Sequence, residues 1–392
     1  MSTPIQDIRA QTDFSWHKKR YEWLAANQYR YQAVLLYIIT MDYLTMPIRE
    51  HYSRQTRRSL LAGAGIGAAA ATAGCLDDIQ GSLEDDEQHD IRMRTSGSET
   101  AAYGANEGIA SVVNDNTDAV YVEAQTSSGT EANIGALDDE SAEMVYIQNW
   151  SAREVAEGVE PFDDLSFEMA QVFHFYDLPW FFCTPDENLE TLSDIDEGTT
   201  ISPTPEGSGT APALEHALEQ VAGYDRVSYD FGEQGNAMNE GQLDVGVGTY
   251  MNFQIIPGWI QEMMGTVDLH VLGVDDEMLE AWEGDDQLLI ESFDGTELEG
   301  AASTPDDVHC PTFAYNFVCR DDLDYDAVYS FLETMYDNRE TLQEYSALLE
   351  RLEDDQFWVE NMYDEVPFHA AAADFYEEIG VWSDEFERAD GE

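Results

Sequence analysis

The sequence predicts an α/β fold in which parallel β-sheets are covered by helices. Two observations predict it. From Asp90 onward, short apolar stretches with strand character alternate with longer stretches of helical periodicity, and segments rich in Gly, Ser and Thr join them. Hydrophobic residues make up 43% of the 392 residues, which is enough to form a buried core. The length predicts two or three domains.

The predicted elements follow one another in a regular order. The first strand, 91–95, alternates apolar and polar residues, and the later strands are short runs rich in Val, Ile and Tyr. The predicted strands are 91–95, 119–124, 144–147, 199–202, 227–229 and 243–247. The predicted helices are 103–113, 132–137, 211–221, 237–240, 325–336, 339–350 and 370–379.

The composition is strongly acidic, and the charge is unevenly distributed. The chain has 81 Asp and Glu residues against 17 Lys and Arg, a formal net charge of −64. Only five of the acids precede Cys75, whereas nine of the basic residues do. From Cys75 onward the composition is typical of a halophilic protein, because at molar salt the Debye length falls to about 3 Å and carboxylate repulsion becomes local. Nucleic acid is excluded as a partner, since this surface offers no basic face for phosphates.

Residues 46–74 have the pattern of a twin-arginine lipoprotein signal peptide. Arg57 and Arg58 precede a mild apolar stretch from Leu60 to Gly74, which is too short and too rich in Gly and Ala to span a bilayer. The segment Thr72-Ala73-Gly74-Cys75 has the form of a lipobox. We therefore expect Cys75 to be lipidated and the mature protein to be extracytoplasmic, anchored at the cell surface after twin-arginine export.

The segments on either side of the signal differ in character. Residues 1–45 have two interpretations. In the first, the start codon is assigned too far upstream and translation begins at Met46. In the second, the segment is a genuine cytoplasmic extension rich in aromatic residues. Residues 75–90 form an acidic tether.

Three loops rich in Gly, Ser and Thr lie where a strand gives way to a helix, at 95–100, 126–131 and 203–210. In an open parallel sheet such loops lie at the carboxyl ends of strands, where ligands bind. Each loop exposes N–H groups of a helix N-terminus, which suit an anion such as a carboxylate. Helix capping alone explains any one loop, but three equivalent loops favour a ligand site.

The order of motifs from Ile91 to Trp382 resembles the TAXI-type solute-binding subunits of tripartite ATP-independent periplasmic (TRAP) transporters. The matching segments are GSETAAYG (97–104), TSSGTEAN (126–133), EGSGT (206–210), EGQLDV (240–245), VPFHA (366–370) and FYEEIGVW (375–382). The chain departs from the family at Ser98-Glu99 and at Asn149-Trp150, which bears on the identity of the ligand.

This resemblance implies a type II periplasmic-binding-protein fold, with two α/β lobes, a hinge and a central cleft. Lobe 1 would combine residues 91–182 with 311–392, and lobe 2 would be 183–310, with crossings near 179–182 and 312–318. The implied function is capture of a small carboxylate for a TRAP permease driven by an ion gradient, without catalysis and without a cofactor. The alternatives are the binding protein of an ATP-driven importer and a surface sensor or enzyme of the same fold.

The resemblance also implies where the solute binds. The expected ligand-binding residues are Ser98, Thr100, Tyr103, Ser128, Gly129, Asn133, Ser208, Gly209 and Thr210, joined by Gln148 and Tyr250 through side-chain hydrogen bonds. No arginine lies in the three loops, so a carboxylate would be held by backbone N–H groups and hydroxyls. Arg92, Arg94, Arg153 and Arg226 are candidate rim residues.

The remaining cysteines and histidines carry no predicted chemistry. A disulfide is permitted at the cell surface between Cys183 and either Cys310 or Cys319, and buried free thiols are the alternative. No metal site is predicted, because the sequence has no CxxC and no His pair at helical spacing. No nucleophile elbow is present, and we expect His369 to cap or pack against the last helix.

Overall fold

The computed structural model describes residues 88–389, apart from residues 99, 206–208 and 222. The predicted signal peptide, the lipidation site Cys75 and nearly all of the predicted tether lie outside the described residues, as does Ser208 of the third loop.

The described residues alternate between strands and helices, as the sequence predicts. The strands are β1 (His89–Arg94), β2 (Val120–Gln125), β3 (Met144–Gln148), β4 (Met169–Thr184), β5 (Thr200–Ile201), β6 (Asp225–Arg226), β7 (Gly246–Thr249), β8 (His270–Val271), β9 (Leu289–Asp294) and β10 (Asp307–Arg320). The helices are α1 (Ala101–Asn116), α2 (Thr130–Asp138), α3 (Asn149–Ala156), α4 (Ala211–Ala217), α5 (Gln234–Asn239), α6 (Gly258–Thr266), α7 (Asp276–Glu283), α8 (Tyr325–Asp337), α9 (Arg339–Leu342) and α10 (Ala370–Ile379). Short 3-10 helices include Leu218–Gln220, Ala347–Glu353 and Asp355–Val359.

A mixed eight-stranded sheet organises the fold. Its strand order is β2-β1-β3-β10-β4-β7, with β9 added to β10 and β8 added to β4. β1 pairs in parallel with β2 and β3, whereas β10 runs antiparallel to β3, β4 and β9. The expectation of parallel sheets therefore holds for β1 to β3 and for the pair β5–β6, but not for the crossing strands. The reason is that the chain leaves the first half of the sheet along β4 and returns along β10.

The two crossing strands change partners in the middle of their length. β10 pairs with β9 from Asp307 to Thr312 and with β4 from Thr312 to Arg320. β4 turns to β7 from Trp180 onward. This topology confirms two α/β lobes joined by crossing strands. The exact lobe limits, 91–182 with 311–392 and 183–310, remain a prediction.

The cores lie on both faces of the sheet. On one face, Phe173, Phe175 and Phe317 pack against Phe331 of α8 and Trp358, and all five side chains are fully buried. On the opposite face, β3 and β10 pack residues such as Ile147 and Val318 against α2 and α3. A further cluster around Phe181, Met263 and Val308 forms the core beyond the crossing.

Helix ends follow from capping side chains in the sequence. The Thr100 hydroxyl accepts from the Tyr103 N–H and starts α1, and the Asp324 carboxylate starts α8 in the same way. At α10, His369 Nδ1 accepts from the Ala371 N–H while Nε2 bonds the Leu323 carbonyl. The predicted capping role of His369 is therefore confirmed, and burial lowers the pKa of this imidazole.

Some predicted elements are wrong in extent. The helix predicted over 211–221 ends at Ala217 and is followed by a 3-10 turn from Leu218 to Gln220. The helix predicted over 339–350 ends at Leu342, because Ser346 is extended and its hydroxyl caps a new 3-10 turn at Leu348. The strand predicted over 227–229 lies two residues earlier as β6. The strand predicted over 243–247 begins at Gly246 and ends at Thr249, and Val245 before it forms only an isolated bridge to Ile201.

Candidate functional site

The first two predicted loops lie together at the carboxyl ends of β1 and β2. The Ser127 N–H donates to the Ser96 carbonyl at 3.0 Å, which ties loop two to loop one. The Ser96 and Thr100 hydroxyls share a hydrogen bond, and Thr100 Oγ1 also donates to the Gly97 carbonyl at 2.9 Å. Both loops lead directly into helix N-termini, so backbone N–H groups of α1 and α2 are concentrated at this edge of the sheet.

Asn133 joins this edge to the end of β3. Its side chain is fully buried, and its Nδ2 donates to the Thr95 carbonyl at 2.9 Å and to the Tyr146 carbonyl at 2.8 Å. Two atoms here have no hydrogen-bond partner among the described residues, Asn133 Oδ1 and Thr95 Oγ1. An unpaired buried polar atom costs about 1–3 kcal/mol of stability. Such a cost at the carboxyl edge of a sheet is typical of a site that a ligand or water completes.

Three tyrosines lie beside this polar edge, where β3, β10 and β4 meet. The rings of Tyr176 and Tyr315 stack with centroids 4.7 Å apart, and the Tyr146 ring lies 4.8 Å from that of Tyr315. Burial raises the pKa of all three hydroxyls, and hydrogen bonding of Tyr146 with Ser96 opposes this rise only in part. The tyrosines therefore stay neutral at physiological pH and can donate hydrogen bonds.

Sequence reasoning missed this tyrosine cluster, although its signal was present. All three residues stand on strands that end or cross at the predicted cleft. The sequence does not show that the three rings lie on the same side of the sheet. That follows only from the strand register, in which Tyr315 pairs with both Gln148 and Tyr176.

The predicted residues of the first two loops divide into exposed and structural groups. Ser98 and Ser128 are exposed, whereas Thr100 caps α1. Gly129 precedes α2 with φ of +132°, a left-handed conformation that favours glycine. Tyr103 is half-buried on the first turn of α1, and burial followed by the neighbouring Glu107 raises the pKa of its hydroxyl.

Gln148 and Tyr250 are committed to other contacts. Gln148 Oε1 accepts from the N–H groups of Trp150 and Ser151, and its Nε2 donates to the Ser151 hydroxyl at 2.9 Å. Its side chain therefore caps α3. Tyr250 packs against Phe293, with ring centroids 5.0 Å apart. That Gln148 and Tyr250 contact the solute remains a prediction.

The third loop is described only in part. Gly209 is exposed and Thr210 is buried at the start of α4. Thr204 of the same loop is fully buried, and its Oγ1 has no hydrogen-bond partner among the described residues.

Helix α4, which follows the third loop, contacts the first half of the fold, because His216 of α4 lies against Trp150 of α3. Their rings lie 5.7 Å apart, and His216 Nε2 is 2.7 Å from the Asp285 carboxylate. The helix that follows β3 and the helix that follows the third loop therefore meet at this pair of rings.

The arginines predicted at the rim are bound to acceptors elsewhere. Arg92, Arg153 and Arg226 form ion pairs with Glu143, Glu365 and Glu215 respectively. Arg94 donates to Gln125 Oε1 and to the Ser141 carbonyl. The remaining arginines of the described chain, Arg320, Arg339, Arg351 and Arg388, also pair with carboxylates. A solute in the cleft would therefore meet hydroxyls and N–H groups rather than a guanidinium.

The candidate disulfide is absent from the described structure. Cys183, Cys310 and Cys319 are free and fully buried, and burial raises the pKa of each thiol. The register explains the separation of two of them, because Cys319 pairs with Ala170 at the far end of β4 from Cys183. Within the described residues, no cluster of three His, Cys, Asp or Glu side chains could hold a metal ion.

A cavity of about 830 Å³ lies at the opposite edge of the sheet from the loops. It is lined by Glu168, Arg320, Asp321, Asp322 and Asp324, among others. Since Cys319 pairs with Met144 at the start of β3, this cavity lies away from the carboxyl ends of β1 to β3. Across the part of the chain that the structure covers, no helix combines the length and the hydrophobicity needed to cross a bilayer.

Comparisons with known proteins place these features in context. Residues 93–380 match the sequence profile described as the NMT1-like family. A search of curated proteins found no match.

Among solved structures, the chain is similar to the probable amino-acid ABC transporter extracellular-binding protein YtmK of Bacillus subtilis, at 12% identity and a TM-score of 0.42, over 66% of this chain and 96% of that one. A periplasmic substrate-binding protein of an ABC transporter from Coxiella burnetii is similar at 12% identity and a TM-score of 0.39, with the same coverage of 66% and 96%. A protein of Archaeoglobus fulgidus is similar at 14% identity and a TM-score of 0.40, over 75% of this chain and 99% of that one.

Proposed function

Because the chain belongs to the NMT1-like family, we propose that it is an extracytoplasmic solute-binding receptor that delivers a small carboxylate to a membrane permease. The solute is an amino acid or a keto or dicarboxylic acid. The protein acts by binding and release rather than by catalysis.

The observation that carries this proposal is the polar edge formed by loops one and two. Hydroxyls and helix N-terminal N–H groups are gathered at the carboxyl ends of parallel strands, together with two buried side-chain oxygens, of Thr95 and Asn133, that have no partner among the described residues. Such a set of groups binds a small polar molecule without a metal or a cofactor. The crossing strands β4 and β10 supply the connection about which two lobes can close.

The permease is of the TRAP type, driven by an ion gradient, and the receptor is of the TAXI type. The segments 97–104, 126–133 and 206–210 support this assignment through their resemblance to that family. An ATP-driven importer is the alternative, and the type of permease gene adjacent to this one distinguishes the two.

Solute-dependent thermal stabilisation tests the receptor function. The full chain in molar KCl is titrated with glutamate, glutamine, 2-oxoglutarate, C4-dicarboxylates and branched-chain keto acids. One compound is expected to raise Tm saturably, by about 5 °C at 100 times its Kd, because binding to the folded state alone stabilises it by about 2.7 kcal/mol. The double variant Ser98→Ala/Ser128→Ala should weaken the shift, since both hydroxyls are exposed in the loops.

The matched control is Ser292→Ala, which removes an exposed hydroxyl from β9, outside the three loops. This variant should respond to the solute as the unaltered protein does. If none of the carboxylates shifts Tm while the protein is folded and free of carried-over ligand, the receptor proposal is wrong.

The receptor is held at the outer face of the cell membrane by a lipid on Cys75 after twin-arginine export. The sequence pattern of residues 46–74 supports this location. Expressed in its native host type, Cys75→Ser should move the protein from the membrane fraction to the medium. Arg57→Lys/Arg58→Lys should instead retain it inside the cell, and unchanged fractionation of both variants would contradict the anchor.

A further inference from the structure

The orientation of the Asn133 amide is fixed by its neighbours. Both of its N–H groups are used, one on the Thr95 carbonyl and one on the Tyr146 carbonyl. The flipped amide would place Oδ1 against two carbonyl oxygens, which repel it. Asn133 therefore presents only an acceptor, Oδ1, to any further group, and Oδ1 has no partner among the described residues.

Thr95 adds a second unpartnered oxygen at the same place. Asn133 bonds the Thr95 carbonyl, so the two residues are direct neighbours, and both side chains are fully buried. The adjacent hydroxyls of Ser96 and Thr100 already bond each other. A molecule that completes this pair must bring an N–H or O–H group for Asn133 Oδ1, and Thr95 Oγ1 can accept or donate.

We propose that Asn133 and Thr95 recognise a hydrogen-bond donor on the solute, so that the receptor takes 2-amino or 2-hydroxy acids and discriminates against 2-oxo acids. This inference rests on the proposed receptor function and names its substrate class. A 2-oxo group offers only lone pairs, which would oppose the lone pairs of Asn133 Oδ1. A site built to pair a donor strongly rejects the analogue that lacks it, because its own polar group is left unpaired.

Charge favours the amino acids within this class. All eight arginines of the described chain bind acceptors outside the three loops, and the chain carries a formal charge of −64. A 2-oxo or 2-hydroxy dicarboxylate would add two negative charges to these surroundings without a guanidinium to offset them. The ammonium of an amino acid offsets the charge of its own carboxylate.

Matched solutes that differ only at C2 test the inference. The full chain in molar KCl is titrated calorimetrically with glutamate, 2-hydroxyglutarate and 2-oxoglutarate, and with leucine and its 2-oxo analogue. Within the series that binds, the amino or hydroxy acid should have a Kd at least about tenfold lower than the 2-oxo acid. Equal or tighter binding of the 2-oxo acid overturns the inference and leaves the receptor function standing. The matched series is the one that contains the compound that raises Tm in the thermal screen, and if no compound raises Tm there, the receptor proposal itself fails.

Two variants of Thr95 separate recognition from a structural role. Thr95→Val removes the hydroxyl at nearly constant volume and should raise the Kd of the amino or hydroxy acid about tenfold. The free energy of unfolding of the unliganded protein should stay the same or rise, since that hydroxyl has no partner among the described residues to lose. Thr95→Ser keeps the hydroxyl and should keep the preference. An unaltered Kd ratio in Thr95→Val, or a loss of unliganded stability without a change in that ratio, would overturn the assignment.

Discussion

Replacing Asp177 with alanine is expected to lower the free energy of unfolding by about 3–5 kcal/mol. Asp177 lies on β4 next to the crossing, and both its side chain and that of His174 are fully buried. The His174 Nε2 and Asp177 Oδ2 atoms are 3.4 Å apart, and Asn361 donates to Asp177 Oδ1 at 3.1 Å. Removing the carboxylate leaves His174 and the Asn361 amide without this partner in the interior.

Substitution of both Asp177 and His174 isolates the contribution of their interaction to the free energy of unfolding. Asp177→Ala, His174→Gln and the double variant form a cycle measured by urea unfolding at molar salt. A double variant that is less destabilised than the sum of the single ones indicates a real pair. Additive losses, or a loss below about 1 kcal/mol for Asp177→Ala, would show that the two groups do not interact.

The pH dependence of this contribution has a definite sign. Burial alone would raise the pKa of Asp177, but His174 and then Asn361 outweigh it and hold the pKa below its ordinary value. A carboxyl with a lowered pKa in the folded state stabilises the protein above about pH 4 and loses that effect as the pH falls through the folded value. Asp177→Asn should therefore reduce the steepness of acid unfolding relative to the unaltered chain.

Local sequence patterns account for the part of the fold that local interactions determine. The strands that became β1, β2 and β3 have alternating or apolar runs, and the helices after β1 and β2 begin at Thr100 and Gly129, which are residue types typical of helix starts. Helix α3 was not predicted, since its cap, Gln148, is not a typical helix start. The positions of the first two loops at the strand ends follow from the same patterns. Helix α10 was predicted to the residue, since His369 caps one end and Gly380, at φ of +80°, ends the other.

The full length of the crossing strands could not be read from local patterns. β4 and β10 are buried on both faces, so their residues are apolar almost without alternation. Such runs do not distinguish a long strand from a buried helix segment. The pairing of Thr312 with Pro179, which fixes the crossing, is a contact between residues far apart in sequence.

The roles of site residues depend on long-range partners that a sequence does not reveal. Asn133 was predicted to contact solute, but its N–H groups are used on carbonyls of two strands, which leaves an acceptor where a donor would suit a carboxylate. Gln148 is likewise taken up by the first turn of α3. Thr95 opens the first predicted loop but was not among the predicted binding residues, and only its burial without a partner among the described residues identifies it.

Replacing Phe317 with alanine is expected to cost about 3–5 kcal/mol of unfolding free energy and to weaken solute binding as well. Phe317 lies on β10 and is fully buried. Its ring stacks on that of Phe173 with centroids 4.8 Å apart and meets the ring of Phe175 edge-on at 5.0 Å. The strand register pairs it with Tyr146, whose carbonyl holds Asn133 in place. A cavity at Phe317 would therefore loosen the core and the polar edge together.

The matched control deletes an aromatic ring that the core does not use. Tyr121 stands on the edge strand β2 with 48% of its surface exposed, so Tyr121→Ala should cost less than about 1 kcal/mol and leave binding intact.

Phe317→Leu keeps most of the buried volume, and it shows whether a smaller perturbation still raises the Kd of the solute. Chemical unfolding and calorimetry at molar salt measure both quantities. Similar losses for Phe317→Ala and Tyr121→Ala would contradict a core centred on Phe317. A destabilised Phe317→Leu that binds with unchanged Kd would show that this core does not support the polar edge.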